Sequence, residues 1–103
     1  VVKYSVKTME IKYTIKPTAQ FKRDLKRCKR SGLDLDKLKY VIHLLKCGEV
    51  LPEQYHDHSL HGKRKGCREC HISPDWLLIY RINNGELCIT LVNTGSHSEL
   101  FGM

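Results

Sequence analysis

Two turn signals in the last third of the chain constrain its fold more than any other feature. They separate three short runs rich in β-branched, aromatic and other apolar residues, at positions 67–72, 76–82 and 87–92. A Ser-Pro pair at 73–74 connects the first two runs, and Asn-Asn-Gly at 83–85 is a strong hairpin signal between the second and the third. Because such short connections join antiparallel neighbours, the sequence predicts a three-stranded meander.

One strand and two helices are predicted ahead of this meander. Residues 11–16 alternate apolar and polar side chains with the period of a half-buried strand. Apolar residues then recur at helical spacing in residues 18–32 and 34–48, with Asp34 or Asp36 as the cap of the second helix. The order of strand, two helices and meander predicts an α+β domain in which a helical hairpin covers a sheet.

The length of the chain limits it to one small domain. Its 103 residues suit a single hydrophobic core, and we assign that domain to residues 9–103. Residues 1–8 precede a Met9-Glu10 pair that resembles an initiator context, so they are expected to be an N-terminal extension. No apolar run approaches the ~20 residues that span a bilayer, and the N-terminus lacks the apolar core of a signal peptide. A cytoplasmic protein without membrane contact is therefore expected.

Basic residues are both abundant and clustered. The chain has 18 Lys and Arg against 11 Asp and Glu, which gives a formal net charge of +7. Six of the basic side chains fall in residues 22–30 and four in residues 63–68. Such clusters attract polyanions over a long range and make their binding sensitive to salt. They favour a nucleic acid or an acidic protein as the partner, although a solvated helix face would have the same composition.

The cysteines suggest two cofactor sites, and the spacing argues against both. Five cysteines lie at positions 28, 47, 67, 70 and 88, and without a secretion signal they are expected to be reduced thiols. Residues 67–71 match the C-x-x-C-H string of haem attachment, and the same thiols with His56, His58 or His61 resemble part of a zinc site. In a strand, residues 67 and 70 point to opposite faces. We therefore expect no metal and no cofactor.

Imidazoles and a carboxylate in the second half of the chain indicate acid–base chemistry. Cleavage of RNA by its own 2′-hydroxyl needs one group that accepts a proton and another that protonates the leaving 5′-oxygen. Histidine, with an unperturbed pKa of about 6.5, can do either. His58, His71 and His97 fall in segments that a meander would bring together, and the tight turn is expected to hold Asp75 beside His71. Each histidine taken alone would equally suit a polar surface.

Three motifs in fixed order carry a family resemblance. They read D-H-x-L-x-G, H-x-x-P-D-W and G-[ST]-H-x-x-L-F, and they occupy residues 57–62, 71–76 and 95–101. With them the chain resembles the YafQ-type toxins of the RelE/ParE superfamily of bacterial toxin–antitoxin systems over roughly residues 9–101. The resemblance implies a RelE-like, microbial-ribonuclease-like fold. In this fold a twisted antiparallel β-sheet is packed against an N-terminal helical hairpin.

The resemblance also implies a function and a set of site residues. Such toxins belong to type II systems and are endoribonucleases that cut translated mRNA in the ribosomal A site. The implied partners are a cognate antitoxin, the 70S ribosome and its mRNA, with operator DNA contacted only through the toxin–antitoxin complex. The resemblance implies that the family's functional positions correspond here to His58, His71, Asp75, His97 and Phe101. Trp76 matches the tryptophan that follows the aspartate in the family.

Residue chemistry and resemblance together give one mechanistic hypothesis. His58 or His71 accepts the proton of the 2′-hydroxyl, and His97 protonates the leaving oxygen. Asp75 orients a nearby imidazole, and Phe101 and Trp76 hold a base, which stacking would stabilise. The positive charge that stabilises the phosphate in the transition state is assigned to Arg68, Arg81, Lys63 and Lys65.

Two other functions fit a small basic domain. A non-catalytic ParE-like toxin that inhibits DNA gyrase has no need of proton-transfer groups, so the histidine set argues against it. A basic nucleic-acid-binding module would show the same charge pattern without any chemistry. Cleavage of ribosome-bound message separates the three functions, because only a nuclease creates new 5′ ends at defined codon positions.

Overall fold

The computed structural model describes residues 10–102, in which five strands and three α-helices follow one another. The strands are β1 Thr14–Pro17, β2 His58–Ser59, β3 Arg68–Ser73, β4 Trp76–Asn83 and β5 Cys88–Gly95; the helices are α1 Ala19–Arg30, α2 Leu35–Lys46 and α3 His97–Phe101. Two single turns of 3-10 helix, Glu53–Tyr55 and Gly62–Arg64, lie on either side of β2. The predicted N-terminal extension lies outside the described residues.

The five strands form one sheet with the order β1-β5-β4-β3-β2. The predicted meander is confirmed as β3, β4 and β5, which pair antiparallel. β2 adds a short antiparallel edge that the sequence did not reveal, because two residues are too few to show a period. β1 pairs with β5 and runs parallel to it, so the sheet is antiparallel in its other three pairings among the described residues.

An apolar core fills the space between the helical hairpin and one face of the sheet. Phe21 of α1 and Leu38 and Val41 of α2 are buried against Leu78 and Ile89 of the sheet. The helix residues recur with the helical period, and the sheet residues follow the alternation of side chains along a strand. Burial of each such side chain stabilises the fold by about 1.5–3 kcal/mol. The predicted α+β architecture, with the helices on one face, leaves the opposite face of β3 and β4 for other contacts.

Both long helices begin at their capping residues. Oγ1 of Thr18 accepts a hydrogen bond from the backbone N–H of Phe21, and Oδ1 of Asp34 accepts one from the backbone N–H of Asp36. Asp34, and not Asp36, is therefore the cap of α2. Gly32 and Gly48, with φ of 78° and 73°, follow the two helix ends in a conformation that favours glycine. In the described part of the chain no helix has the length and apolar character needed to cross a membrane.

The cysteine pair at positions 67 and 70 is divided between the two faces of the sheet. Cys70 is fully buried in the core, and this burial raises the pKa of its thiol. Sγ of Cys67 lies on the other face, 3.4 Å from Nη2 of Arg81. As strand alternation predicts, the two thiols cannot bind one haem or one zinc ion together.

Candidate active site

Four histidine rings cluster on the face of the sheet opposite the helices. The ring of His71 is central, with its centroid 5.4 Å from that of His56, 6.5 Å from His58 and 5.7 Å from His97. The structure therefore brings together the three histidines that the sequence singled out and adds His56 to them. Rings this close can reach the two reacting oxygens of one phosphodiester.

Strand pairing explains why residues distant in sequence meet here. His58 pairs with Glu69 across β2 and β3, and His71 pairs with Leu77 across β3 and β4. Because side chains alternate along a strand, Glu69 and His71 share one face. Leu77 also pairs with Gly95 of β5, which lies two residues before His97. The end of β5 therefore lies near the centre of the cluster. The backbone register thus brings the three histidines into one cluster.

Glu69 is the one buried carboxylate that contacts the described histidine rings, and the sequence analysis assigned it no role. Its exposure is 6%, and its Oε1 lies 3.5 Å from Nε2 of His58 and 3.5 Å from Nε2 of His71. A buried carboxylate is expected to have charged or hydrogen-bonding partners, and these two rings provide them. The only sequence signal for it was the period of two, which places residue 69 on the same strand face as residue 71.

A main-chain carbonyl orients His58. Nδ1 of His58 lies 2.7 Å from the carbonyl oxygen of His56. A carbonyl oxygen only accepts hydrogen bonds, so Nδ1 carries a proton and Nε2 is directed toward Glu69. His56 itself has the left-handed conformation, with φ 47° and ψ 42°. Such strain is uncommon outside glycine and clusters at functional sites.

Asp75 binds His97. Its Oδ1 accepts a hydrogen bond from the backbone N–H of His97 at 3.0 Å and another from the ring Nδ1 at 2.7 Å. These two hydrogen bonds lower the pKa of Asp75 below its ordinary value. The prediction that Asp75 lies beside His71 is therefore wrong, because its imidazole partner is His97. The turn after β3 projects Asp75 toward the start of α3, where it holds His97. Within residues 10–102, Nε2 of His97 makes no hydrogen bond.

A charged network anchors the start of α3, and so His97, to α1. Nε of Arg27 lies 2.7 Å from Oε2 of Glu99, and its Nη2 donates to the carbonyl oxygen of Thr94 at 2.8 Å. Its Nη1 donates at 3.0 Å to Asp24, which is 1% exposed and also accepts the N–H of Thr94. Burial raises the pKa of Asp24, but its hydrogen bonds together outweigh burial and lower it. Arg27 is therefore a structural residue and not part of the free basic surface.

Arg68 lies on the wrong face to contact a phosphate at the histidines. It pairs with Tyr80 across β3 and β4, on the side that faces the helices. Its Nη2 and Nε lie 3.0 Å and 3.2 Å from Oδ2 of Asp57, whose Oδ1 accepts the hydroxyl of Tyr80 at 2.5 Å. The hydrogen bond to Asp57 raises the pKa of Arg68. The predicted phosphate contact of Arg68 is thus wrong, and the residue instead holds the loop that carries His58.

Trp76 is a core residue. Its side chain is 3% exposed, and its indole N–H donates to Oγ1 of Thr94 at 2.9 Å. A ring that stacks on a nucleotide base must have an exposed face. The prediction that Trp76 holds a base is therefore wrong, because the apolar neighbours that follow it in β4 draw it into the core.

Phe101 and Arg64 form a second pair beside the cluster. Phe101 lies one helical turn after His97 and is half-buried. The guanidinium carbon of Arg64 lies 5.5 Å from the Phe101 ring centroid, and its Nη1 donates to Oδ1 of Asn93 at 3.2 Å. In the sequence, Arg64 is one member of the basic cluster at residues 63–68, and no neighbouring residue distinguishes it from the other members. The fold selects it by bringing the loop after β2 to the C-terminal helix.

The remaining predicted cations lie around the edge of this site. Lys63 and Lys65 are exposed and flank Arg64. Arg81 is exposed on the histidine face, four residues along β4 from Leu77, the strand partner of His71. Four residues of strand span about 13 Å. These three side chains therefore suit neighbouring phosphates of a strand better than the one at the histidines.

Comparison with known proteins identifies the family. The family model described as a bacterial toxin of type II toxin–antitoxin systems, YafQ, matches residues 13–102. The chain belongs to the YafQ family of toxins. It is similar to the mRNA interferase toxin YafQ of Escherichia coli strain K12, with 38% identity over 93 residues, which are 89% of this chain and 99% of that protein. The resemblance drawn from the three motifs is confirmed.

Solved structures of YafQ show the same fold as this YafQ-family chain. The crystal structure of YafQ from E. coli strain BL21(DE3) has a TM-score of 0.82 and 36% identity, covering 87% of this chain and 99% of that one. YafQ in the crystal structure of the E. coli DinJ-YafQ toxin-antitoxin complex has a TM-score of 0.81 and 38% identity, covering 89% and 100%. The predicted RelE-like fold is confirmed by this likeness.

Proposed function

We propose that this YafQ-family toxin is an mRNA interferase, a ribosome-dependent endoribonuclease that cuts translated message in the A site. Its relative in E. coli carries the name mRNA interferase toxin. The observation that supports the chemistry is the position of the His71 ring, between those of His58 and His97 and beside the buried carboxylate of Glu69. Paired imidazoles within one cluster suit proton transfer at both ends of a phosphodiester.

His71 is the proposed base and His97 the proposed acid. Both ring nitrogens of His58 face acceptors, the His56 carbonyl and Glu69, which leaves none free to take a proton. His71 directs Nε2 at Glu69, and its Nδ1 has no partner in residues 10–102. Nδ1 takes the proton of the 2′-hydroxyl as that oxygen attacks phosphorus. The bond from phosphorus to the 5′-oxygen breaks, and Nε2–H of His97 protonates that oxygen.

The products follow from this bond exchange. The upstream fragment ends in a 2′,3′-cyclic phosphate, and the downstream fragment begins with a 5′-hydroxyl. Negative charge grows on the phosphate oxygens in the transition state, and hydrogen-bond donors and cations around the cluster are needed to offset it. Glu69 holds His58 and His71 in place, and Asp75 holds His97. These are positioning roles for the two carboxylates.

Arg64 and Phe101 are proposed to bind the downstream nucleotide. The Phe101 ring lies one turn from His97, which protonates the oxygen of that nucleotide. An exposed part of the ring can stack on a base, and Arg64 adds a positive charge beside it. Arg81, Lys63 and Lys65 then offset the charges of phosphates further along the message.

The partners are proposed by analogy with the family. E. coli YafQ has been solved in complex with DinJ as a toxin–antitoxin pair, so a cognate antitoxin is the expected protein partner of this chain. The 70S ribosome and its message are the proposed targets in the cytoplasm, and operator DNA is contacted only within the toxin–antitoxin complex. The exposed basic side chains of α1 are proposed to contact ribosomal RNA.

Inducible expression of the wild-type chain and of His97→Ala tests the nuclease. Primer extension on a translated transcript should show new 5′ ends at defined codon positions with the wild type and none with the variant. His97 is partly exposed, so its truncation should leave the circular dichroism spectrum and the unfolding midpoint unchanged. His43→Ala, which removes an imidazole on α2 outside the cluster, is the matched control and should cut normally.

Purified components then separate the proposed function from its rivals. Wild-type protein incubated with message should cut in the presence of 70S ribosomes and much more slowly without them. Equal cutting of free RNA removes ribosome dependence, and near-normal cutting by His97→Ala removes His97 from the mechanism. An absence of new ends with the wild type, together with inhibition of gyrase or simple RNA binding, favours the ParE-like toxin or the binding module.

A further inference from the structure

A groove of about 700 Å³ opens beside His71, and the proposed mechanism assigns it no occupant. Its walls come from the first turn of α2, from the 3-10 turn Glu53–Tyr55 with His56, and from the end of β3. His71 and His56 line it, whereas His97 does not. The groove therefore adjoins the histidine cluster on one side. Its volume suits one nucleotide, because small-molecule sites usually measure ~300–1,000 Å³.

Lys37 supplies the positive charge of this groove. Its side chain is half-buried, and within residues 10–102 its ammonium has no ion-pair partner. No Asp or Glu among the described residues lines the groove. An ammonium that lines a groove without a carboxylate attracts an anionic ligand, because that ligand supplies the missing counter-charge. The charge of the groove thus favours an anionic group such as a phosphate over a cationic ligand.

The other walls offer what a nucleotide base requires. Ile72 and Pro74 provide apolar surface, and Gln54 and Ser73 provide hydrogen-bonding groups. The exposed amide of Gln54 makes no hydrogen bond within the described residues, so both its donor and its acceptor are available. Single-stranded RNA is recognised through such contacts with the edges of splayed bases. A phosphate site next to an amide and an apolar wall fits a nucleotide.

We infer that the groove binds the nucleotide immediately upstream of the cut, with Lys37 on the phosphate at its 5′ side and Gln54 on its base. The inference rests on the proposed function, in which His71 accepts the proton of the 2′-hydroxyl. That hydroxyl belongs to the upstream nucleotide, which must therefore lie next to His71. The leaving oxygen belongs to the downstream nucleotide and lies next to His97, outside the groove. Gln54 thereby becomes a specificity residue for the base before the cut.

Titration of the isotope-labelled full chain with nucleoside 3′,5′-bisphosphates tests this assignment by NMR. The 3′-phosphate mimics the product at the histidines, and the 5′-phosphate occupies the position assigned to Lys37. Backbone amide signals of Lys37, Gln54 and Ser73 should shift. Lys37→Ala should weaken the bisphosphate by about tenfold or more, the loss expected for one charged hydrogen bond, and should leave the affinity for the nucleoside 3′-monophosphate unchanged.

Two further variants complete the experiment. Lys39→Ala removes an exposed lysine of the same helix outside the groove and should bind both nucleotides as the wild type does. Gln54→Ala should change the order of affinities among the four bases. Shifts confined to the surroundings of His97 and Phe101, or a Lys37→Ala protein that binds the bisphosphate as tightly as the wild type, overturn the inference. If the wild-type chain cuts message but the amide signals of the groove do not shift with nucleotides, only this assignment is refuted. The proposed nuclease activity is then unaffected.

Discussion

The pair of Asp75 and His97 shows how one carboxylate can decide what an imidazole is able to do. A neutral imidazole carries its proton on either nitrogen. The hydrogen bond at one nitrogen decides whether that nitrogen or the other carries the proton. Asp75 accepts from Nδ1 of His97 at 2.7 Å, which leaves Nε2 as the nitrogen that exchanges protons with a substrate. The second bond, from the His97 backbone, ties the same carboxylate to the start of α3. Ring orientation and helix position are thus set together.

Asp75→Asn should therefore slow the chemical step without weakening binding. The amide keeps the size of the carboxylate but loses its charge and can present an N–H to Nδ1, which reverses the tautomer of His97. We expect single-turnover cleavage on ribosomes to fall about 10- to 100-fold, the range found for carboxylates that orient metal-bound histidines. The affinity for ribosomes should not change. Asp36→Asn, at an exposed aspartate of α2, is the control and should cut normally.

The pH range of this prediction follows from the direction of the pKa shift. The pKa of Asp75 is lowered in the folded chain, so its bond to His97 is complete above the ordinary value of 3.8 and is lost as the pH falls through the lowered value. Between about pH 5 and pH 8 the carboxylate stays charged. The rate ratio of wild type to Asp75→Asn should not vary over that interval on account of Asp75. A ratio that collapses toward unity at pH 5 would contradict this role.

At the scale of elements, periodic pattern and turn chemistry predicted most of the fold. The apolar runs of β3, β4 and β5 and the caps of α1 and α2 carry signals in neighbouring residues. β2 and α3 are too short for any period, although both carry histidines of the cluster. Arg68 and Trp76 were assigned wrongly because residue type cannot tell which face of a strand, or what depth, a side chain will occupy. Glu69 was overlooked for the same reason.

The link between α1 and α3 also depends on tertiary contacts that no local sequence pattern predicts. Asp24 and Arg27 lie on the helix turn that faces β5, and Glu99 reaches Arg27 from the capping box of α3. Gly95 allows the close approach, since a side-chain carbon there would lie 2.5 Å from Nη2 of Arg27. In the sequence these charges look like part of a solvated basic helix. In the fold they hold the segment that bears His97.

Arg27→Ala should lower both stability and activity. Arg27 is about one-third exposed, so its ion pairs are partly screened, and we expect the free energy of unfolding to fall by about 1–2 kcal/mol. Cleavage should fall as well, because α3 loses an anchor. Arg23→Ala removes an exposed neighbour that, in the described part of the chain, bonds Gln20 alone, and it should stay within about 0.5 kcal/mol of the wild type. Urea denaturation measures the stability of both variants. Equal midpoints would show that Arg27 does not anchor α3.

At the scale of the whole molecule, positive charge is present on two different surfaces. Arg64, Lys63 and Lys65 lie around the histidine face, where a message would be cut. The exposed cations of α1 share a helix face opposite its buried residues, namely Lys22, Arg23, Lys26, Lys29 and Arg30. Because α1 packs on the other side of the sheet, one polyanion strand cannot easily contact both. The α1 surface is therefore better suited to a larger polyanion such as ribosomal RNA.

Charge reversal on α1 should then weaken ribosome binding without harming the chemistry. In the double variant Lys22→Glu and Lys26→Glu, two phosphate contacts are lost, and each contributes about 0.7–0.9 to the slope of log K against log salt. The slope for binding to 70S ribosomes should become shallower by about 1.5, with weaker binding at low salt. The pair Lys16→Glu and Lys39→Glu makes the same change in net charge on other exposed positions, so it separates a local contact from the overall field. Equal slopes for the two double variants would mean that net charge alone steers the toxin, and that α1 is a solvated face.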